Sequence, residues 1–452
     1  MTVESDTRSG GGEAPTSWRD AVRGNVLAMG LVSLFTDFSS EMIYPLLPVF
    51  FTGLVSGGTP EEKLAMAALF VGMTEGVAET TASLLKIFSG RISDRLGRRK
   101  ALVLAGYGVS TLARPLMGLA FAAWNVVGLR FLDRIGKGVR TSPRDALIGD
   151  SVASGHRGLA FSFHRAMDHT GAVLGPVVAF FILMAMVGGA ALWSKEAVAT
   201  PADMTALRWL FGIALIPGLA AMVALLVKVR EVAPHAVEGA PEEAARGHRR
   251  LPGRFYAFVG IVTLFALGNS SDLFLLLYAR TLYGFGMGTL LALWVVLHLS
   301  KIVFSFPGGI LSDRLGRRPV IVAGWVVYAL VYLGMALLPG GGSPWLFVGL
   351  FVAYGFYYGM TEGVEKALVA DFIPSERRGT AFGIYHGAVG IAALPASLLF
   401  GVLWVALNTV SPGLGPHVAF GVGAALAGLA AVLLTILLSV HRAPRPADRP
   451  AS

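Results

Sequence analysis

The chain has 452 residues, 54% of them hydrophobic and only 14% charged, and carries a formal net charge of +9. A water-soluble domain uses about 25% charged residues, so this composition, with a mean hydropathy of +0.66, excludes an ordinary soluble fold and requires membrane spans. The absence of cysteine excludes disulfides and thiolate metal sites.

Residues 1–24 are polar, with Gly10, Gly11, Gly12 and Pro15 among scattered charges, and are expected to form a disordered tail without the charged-then-apolar pattern of a signal peptide. Twelve apolar runs follow, at roughly 25–51, 64–89, 100–121, 123–149, 158–188, 206–228, 254–280, 286–311, 319–338, 344–371, 379–408 and 415–440. Each has about the 20 residues that a helix needs to cross a bilayer. The runs are continuous and lack the alternation of barrel strands, so the expected fold is all-α with twelve transmembrane helices. The polar stretch 231–253 divides them into bundles of six, 25–230 and 254–440, and 441–452 forms a second tail.

Cations crowd alternate junctions: Arg91 to Lys100, Arg144 to Arg157, Lys228 to Arg254, Arg314 to Arg318, Arg377 with Arg378, and Arg442 to Arg449. The other junctions hold few, such as Lys63, Lys195, Arg208 and Arg280. The positive-inside rule then puts both termini in the cytoplasm. Without a soluble module to carry it, the basic charge predicts no nucleic-acid partner.

Ionisable groups inside spans are expensive and usually pair or line a cavity. Span 1 has Asp37 and Glu41 on one face, and span 2 has Glu75, Glu79 and Lys86. A carboxylate at mid-depth can load and release a proton, with static pairing to Lys86 and the span 4 arginines as the alternative. Span 4 carries a stripe of Arg130, Arg134, Lys137 and Arg144 beside Asp133, and its end from Arg140 to Asp145 is expected to reach interfacial water. Span 5 brings together His164, Arg165, Asp168 and His169, followed by Gly171, Gly175 and the helix-bending Pro176. Histidine there can relay protons; no compact ligand motif is present, so no metal site is expected. The second half offers Asp272, His298, Lys301, Glu362, Glu365, Lys366 and His386. Lys301 suits an anionic substrate or a counter-ion role to Asp272, and Glu362 with Lys366 reads as a local pair. Tyr44, Tyr278, Tyr357, Tyr358 and Tyr385 are candidates for a cavity wall.

The halves repeat. Gly90, Asp94, Arg95, Gly97, Arg98 and Arg99 match Gly309, Asp313, Arg314, Gly316, Arg317 and Arg318 in the pattern Gly-x-x-x-Asp-Arg-x-Gly-Arg-Arg. The segment 157–164 matches 378–385, 146–150 matches 367–371, and Ser39-Ser40-Glu41 is similar to Ser270-Ser271-Asp272. The glycines permit tight turns and close helix approach.

On these duplicated turns, in register between apolar runs, the chain resembles the major facilitator superfamily over about residues 20 to 440. The resemblance implies two pseudo-symmetric six-helix bundles that rock about a substrate site near the bilayer midplane. It makes the turns between helices 2 and 3 and between helices 8 and 9 a gate whose ionic contacts break and reform. It also implies a proton-transfer role for Arg130 on helix 4. Gly171, Gly175 and Pro176 look like the helix 5 signature of the drug/proton antiporter branch. The expected function is proton-coupled export of a small organic molecule by a monomer in the inner membrane, with the proton gradient as energy source and no cofactor. No nucleotide-binding loop and no catalytic constellation is visible, so no enzyme is expected. The alternatives are transport of an anionic metabolite or metal chelate, using Arg130, Arg134, Arg165 and Lys301, and a receptor-like or lipid-handling protein that moves no solute.

Overall fold

The computed structural model describes residues 22–57, 59–188, 198–232, 251–270, 272–283, 287–339, 342–411 and 413–439. Most of both tails, most of the linker and Lys195 lie outside the described residues. The described residues form twelve spans, three of them built from two helices. Span 1 comprises α1 (Gly24–Glu41) and α2 (Leu47–Leu54), joined by a 3₁₀ turn that starts at Tyr44-Pro45. Proline suits the first turn of a helix, where its missing N–H leaves no bond unmade. Spans 2 to 5 are α3 (Pro60–Leu96), α4 (Arg99–Met117), α5 (Ala123–Asp150) and α6 (Arg157–Val187). Span 6 comprises α7 (Pro201–Ile213) and α8 (Leu215–Lys228); Thr200 caps it by accepting the Asp203 amide at 3.2 Å while Asp203 accepts the Thr200 amide at 2.9 Å.

Span 7 comprises α9 (Gly253–Gly268) and α10 (Asp272–Tyr283). Spans 8 to 12 are α11 (Met287–Leu315), α12 (Arg317–Ala336), α13 (Pro344–Phe372), α14 (Arg378–Val410) and α15 (Leu414–Ser439). Among the described residues, seven spans are long and apolar enough to cross a membrane by length and composition alone. Spans 3, 4 and 10 hold charged residues within their apolar runs and turn many of these inward, as the burial of Arg114, Arg130, Asp133, Asp145 and Lys366 shows. The outer rim is apolar and exposed, at Leu112, Phe181, Trp209 and Val402 among others, as lipid contact requires.

Two seams join the six-helix bundles. One packs α3 against α14, the other α6 against α11, and α6 also touches α13. Small residues set both seams. A Cβ on Gly90 would lie 2.0 Å from the Gly379 carbonyl oxygen, and one on Gly309 would lie 2.7 Å from the Leu159 Cα. The turns after α3 and α11 need glycine for a different reason: Gly97 has φ +61° and Gly316 φ +93°. These turns lie on one face of the molecule, the motif face.

Candidate functional site

At the motif face each duplicated aspartate reaches across to the other bundle. Asp94 accepts the backbone amides of Gly379 at 3.0 Å and Thr380 at 2.6 Å, in the first turn of α14. Asp313 accepts those of Gly158 at 3.0 Å and Leu159 at 2.9 Å, in the first turn of α6. A helix start offers unsatisfied N–H groups and positive potential, so each carboxylate meets the complement it needs. A second pair of contacts follows the same two-fold pattern. Arg157 binds Asp371 at 2.6 Å across the interface, Arg378 binds Asp150 in the equivalent contact, and Arg99 and Arg317 reinforce Asp150 and Asp371 at 2.5 Å and 3.0 Å. Arg99 also donates to the Ser375 carbonyl at 2.5 Å, and Arg317 to that of Ser154 at 2.6 Å.

The copies differ in one respect. Arg99 is the third arginine of its motif and Arg317 the second of its own, because each opens the helix after its turn. Arg95, Arg98 and Arg314 are exposed and Arg318 is half-buried. The ionic role expected of six arginines is thus carried by Arg99 and Arg317.

Deeper in, a second ionic layer joins the bundles. Asp145 is fully buried and receives Lys366 at 3.1 Å and His386 at 2.7 Å from the second half, and Arg144 at 2.9 Å from its own helix. Glu362 receives Arg165 at 3.2 Å and His169 at 3.4 Å from the first half. Two sequence expectations are corrected here. The segment from Arg140 to Asp145 is buried, not interfacial, because α14 and α13 close over it. Glu362 and Lys366 do not pair with each other, since each finds a stronger partner across the interface. Residue 145 matches 366 in the internal repeat, and Phe161 matches Phe382, whose ring lies 5.6 Å away. Equivalent positions that touch mark the pseudo-two-fold axis.

Beyond this layer, no hydrogen bond or ion pair between the bundles is found among the described residues. The first-half wall there is organised by Asp133, which holds Arg114 at 3.3 Å and Arg130 at 2.9 Å. Arg114 also donates to the Thr36 carbonyl at 2.9 Å, and Arg130 lies 4.8 Å from the Tyr44 ring centroid. Arg140 bonds Ser110 at 2.5 Å over the Tyr107 ring, and Arg134 and Lys137 are half-buried on the same helix. Asp168 takes Arg165 at 2.7 Å, the Ser33 hydroxyl, and His164 at 3.7 Å. Asp37 and Glu41 are half-buried, and no ion pair reaches either among the described residues. The side chains of Glu75 and Glu79 lie outside the described part. Gly171 and Gly175 pack on the turn of α1 that bears the two acids: added Cβ atoms would lie 2.3 Å from the Leu34 carbonyl oxygen and 2.9 Å from the Glu41 carbonyl carbon. The helix α6 runs through Pro176 without interruption.

The second-half wall is built around the break in span 7. Tyr328 donates to the freed Gly268 carbonyl at 2.9 Å, and Asn269 donates to Tyr358 at 3.3 Å. Asp272 accepts Tyr354 at 2.6 Å and Lys301 at 3.2 Å, while Lys301 sits 4.0 Å from the Tyr358 ring centroid. The counter-ion arrangement of Lys301 with Asp272 is therefore present. His298 bonds the Trp294 carbonyl at 3.0 Å, and its ring is 5.5 Å from that of His169. Glu365 accepts Trp325 at 2.8 Å and Tyr385 at 2.9 Å. Sequence reasoning passed over Arg114 and the axial role of Asp145; the signal for Arg114 was a lone cation within an apolar run.

The family model for the Major Facilitator Superfamily matches residues 29–299 and 295–452. An uncharacterised MFS-type transporter of Methanocaldococcus jannaschii is 31% identical, with 91% of this chain and 94% of that one covered. The gentisate transporter of Corynebacterium glutamicum is 27% identical over 86% of this chain and 84% of its own. Among solved structures, the proton:xylose symporter XylE superposes with a TM-score of 0.72 at 17% identity, covering 93% of this chain and 96% of its own. With its duplicated turns, its two bundles and a family match that spans nearly all of it, the chain belongs to the major facilitator superfamily and is a membrane transporter of that type.

Proposed function

We propose that the chain is a proton-coupled exporter of a small organic molecule, with the motif face and both termini in the cytoplasm of the producing cell's inner membrane. The observation that carries this reading is the state of Asp37 and Glu41. They lie one turn apart on α1, half-buried, while Asp133, Asp145, Asp168, Asp272 and Glu362 are all held in ion pairs. An acid without a direct ion pair inside the bilayer is suited to take up a proton or a cationic group. Arg114 and Arg130, anchored on Asp133, set the potential around them. The cation-rich motif face supports the cytoplasmic orientation, and the Gly171, Gly175 and Pro176 pattern supports the antiporter branch.

In this conformation two ionic layers close the motif face to the site. Exchange of a proton for solute at Asp37 and Glu41 would let the bundles rock and break the seal. The transporter works as a monomer, driven by the proton gradient.

A second reading, export or uptake of an organic anion, draws on the buried Arg114 and Arg130 and on the gentisate transporter relative. One experiment separates them: proton flux in proteoliposomes challenged with cationic, neutral and anionic solutes, comparing the unaltered chain with Asp37→Asn and Glu41→Gln. Cation-dependent proton release lost in either variant supports the first reading. Anion movement that survives both variants and fails in Arg130→Gln supports the second.

A further inference from the structure

Three buried or half-buried carboxylates away from the span ends have no ion pair among the described residues: Asp37, Glu41 and Glu365. The third lies in the other bundle and plays no part in the function proposed above. Glu365 is 8% exposed on α13. Its Oε1 accepts the Trp325 indole N–H at 2.8 Å from α12, and its Oε2 accepts the Tyr385 hydroxyl at 2.9 Å from α14. Behind these donors, Phe265 stacks on Trp325 at 4.5 Å and Phe258 lies parallel to Tyr385 at 6.5 Å.

The charged and titratable groups around this site are committed elsewhere. Lys366, on the same helix, holds Asp145. Glu362, one turn away, is held by Arg165 and His169, and Arg165 from α6 is further engaged by Asp168. His386, beside Tyr385 on α14, also bonds Asp145, and Tyr357 lies two turns along α13. An ionised carboxylate inside the bilayer, held by two neutral donors, is poorly compensated. The same two contacts serve the neutral acid fully: Oε1 goes on accepting the indole N–H, and the carboxylic O–H donates to the Tyr385 oxygen. Glu365 is six residues from Asp371, about 9 Å along the helix from the motif-face seal. Separation of the bundles at that face would bring water to it.

We propose that Glu365 is a proton-binding site of the second bundle, loaded and emptied through the motif face. On opening, the carboxylic O–H bond breaks, the proton passes to entering water, and the carboxylate stays held by Trp325 and Tyr385; reloading is the reverse. The step needs no co-reactant, and it rests on alternating access but not on the identity or direction of the solute.

The test is infrared difference spectroscopy of the full chain in liposomes, stepped from about pH 5 to 9. One component of the protonated-carboxyl stretching band should fall as pH rises, be lost in Glu365→Gln and persist when Asp37→Asn and Glu41→Gln are combined. Trp325→Phe and Tyr385→Phe should keep the band and shift both its frequency and its titration midpoint, which a merely structural carboxyl would not show. A pH-difference spectrum of folded Glu365→Gln that matches the unaltered chain, or a band indifferent to both donor substitutions, overturns the proposal. Failure of solute-driven proton flux at Asp37 and Glu41, with the Glu365 band intact, counts against the exporter reading alone.

Discussion

Replacing Asp145 with Asn removes the charge that two cations, Arg144 and Lys366, and the His386 imidazole share at the pseudo-symmetry axis. Lys366 and His386 reach it from the second bundle at 3.1 Å and 2.7 Å, whereas Arg144 reaches it from its own helix at 2.9 Å. Breaking a buried pair costs about 3–5 kcal/mol, because a charge is left without compensation. Part of that loss is common to the closed and open states, since Arg144 stays beside position 145 when the bundles part. Lys366 then regains a partner in Glu362, four residues earlier on the same helix, which itself leaves Arg165 to Asp168. Taking about 2 kcal/mol as the share specific to the closed motif face, the closed-to-open ratio should fall about 30-fold.

The chain has no native cysteine, so spin labels at Ala153→Cys and Glu376→Cys, both exposed on that face, report the separation directly. Asp145→Asn should enlarge the long-distance population in paired-label measurements, and Glu362→Gln added to it should enlarge it further. An unchanged distance distribution in folded Asp145→Asn would refute the argument that this carboxylate holds the face closed.

The motif aspartates should behave as equals: Asp94→Asn and Asp313→Asn each lose about 1 kcal/mol of helix-start stabilisation, and the same label pair should show similar partial opening in both. Gly90→Ala should abolish transport and hold the labels apart, since its Cβ would meet a carbonyl oxygen at 2.0 Å; Gly309→Ala, at 2.7 Å from a Cα, should do the same less severely. Arg114→Met should lower thermal stability in detergent by about 3 kcal/mol, and Arg114→Lys should not rescue it, because one ammonium cannot reach both Asp133 and the Thr36 carbonyl as the guanidinium does.

The twelve spans and the duplicated turns were legible because hydropathy and repetition are carried by local sequence. The pairing of Lys301 with Asp272 was legible as one of two roles open to Lys301, the other being an anionic substrate. The partners of Glu362 and Lys366 were not legible. Their spacing of four residues fits a local pair, and only the packing of α6 and α5 against α13 supplies better ones. The same holds for Arg140 to Asp145. A polar stretch near the end of a span reads as interfacial until another bundle covers it.

The meeting of residue 145 with residue 366 bears on the ancestry of the fold. A position on a two-fold axis faces its own copy, so two identical halves would set like against like there. Aspartate against aspartate, or lysine against lysine, would push the bundles apart at the seal. The Asp145–Lys366 contact therefore requires that the two halves differ at this position. Once made, it ties each half to its present partner: a symmetric dimer of either half would bury two like charges on its axis.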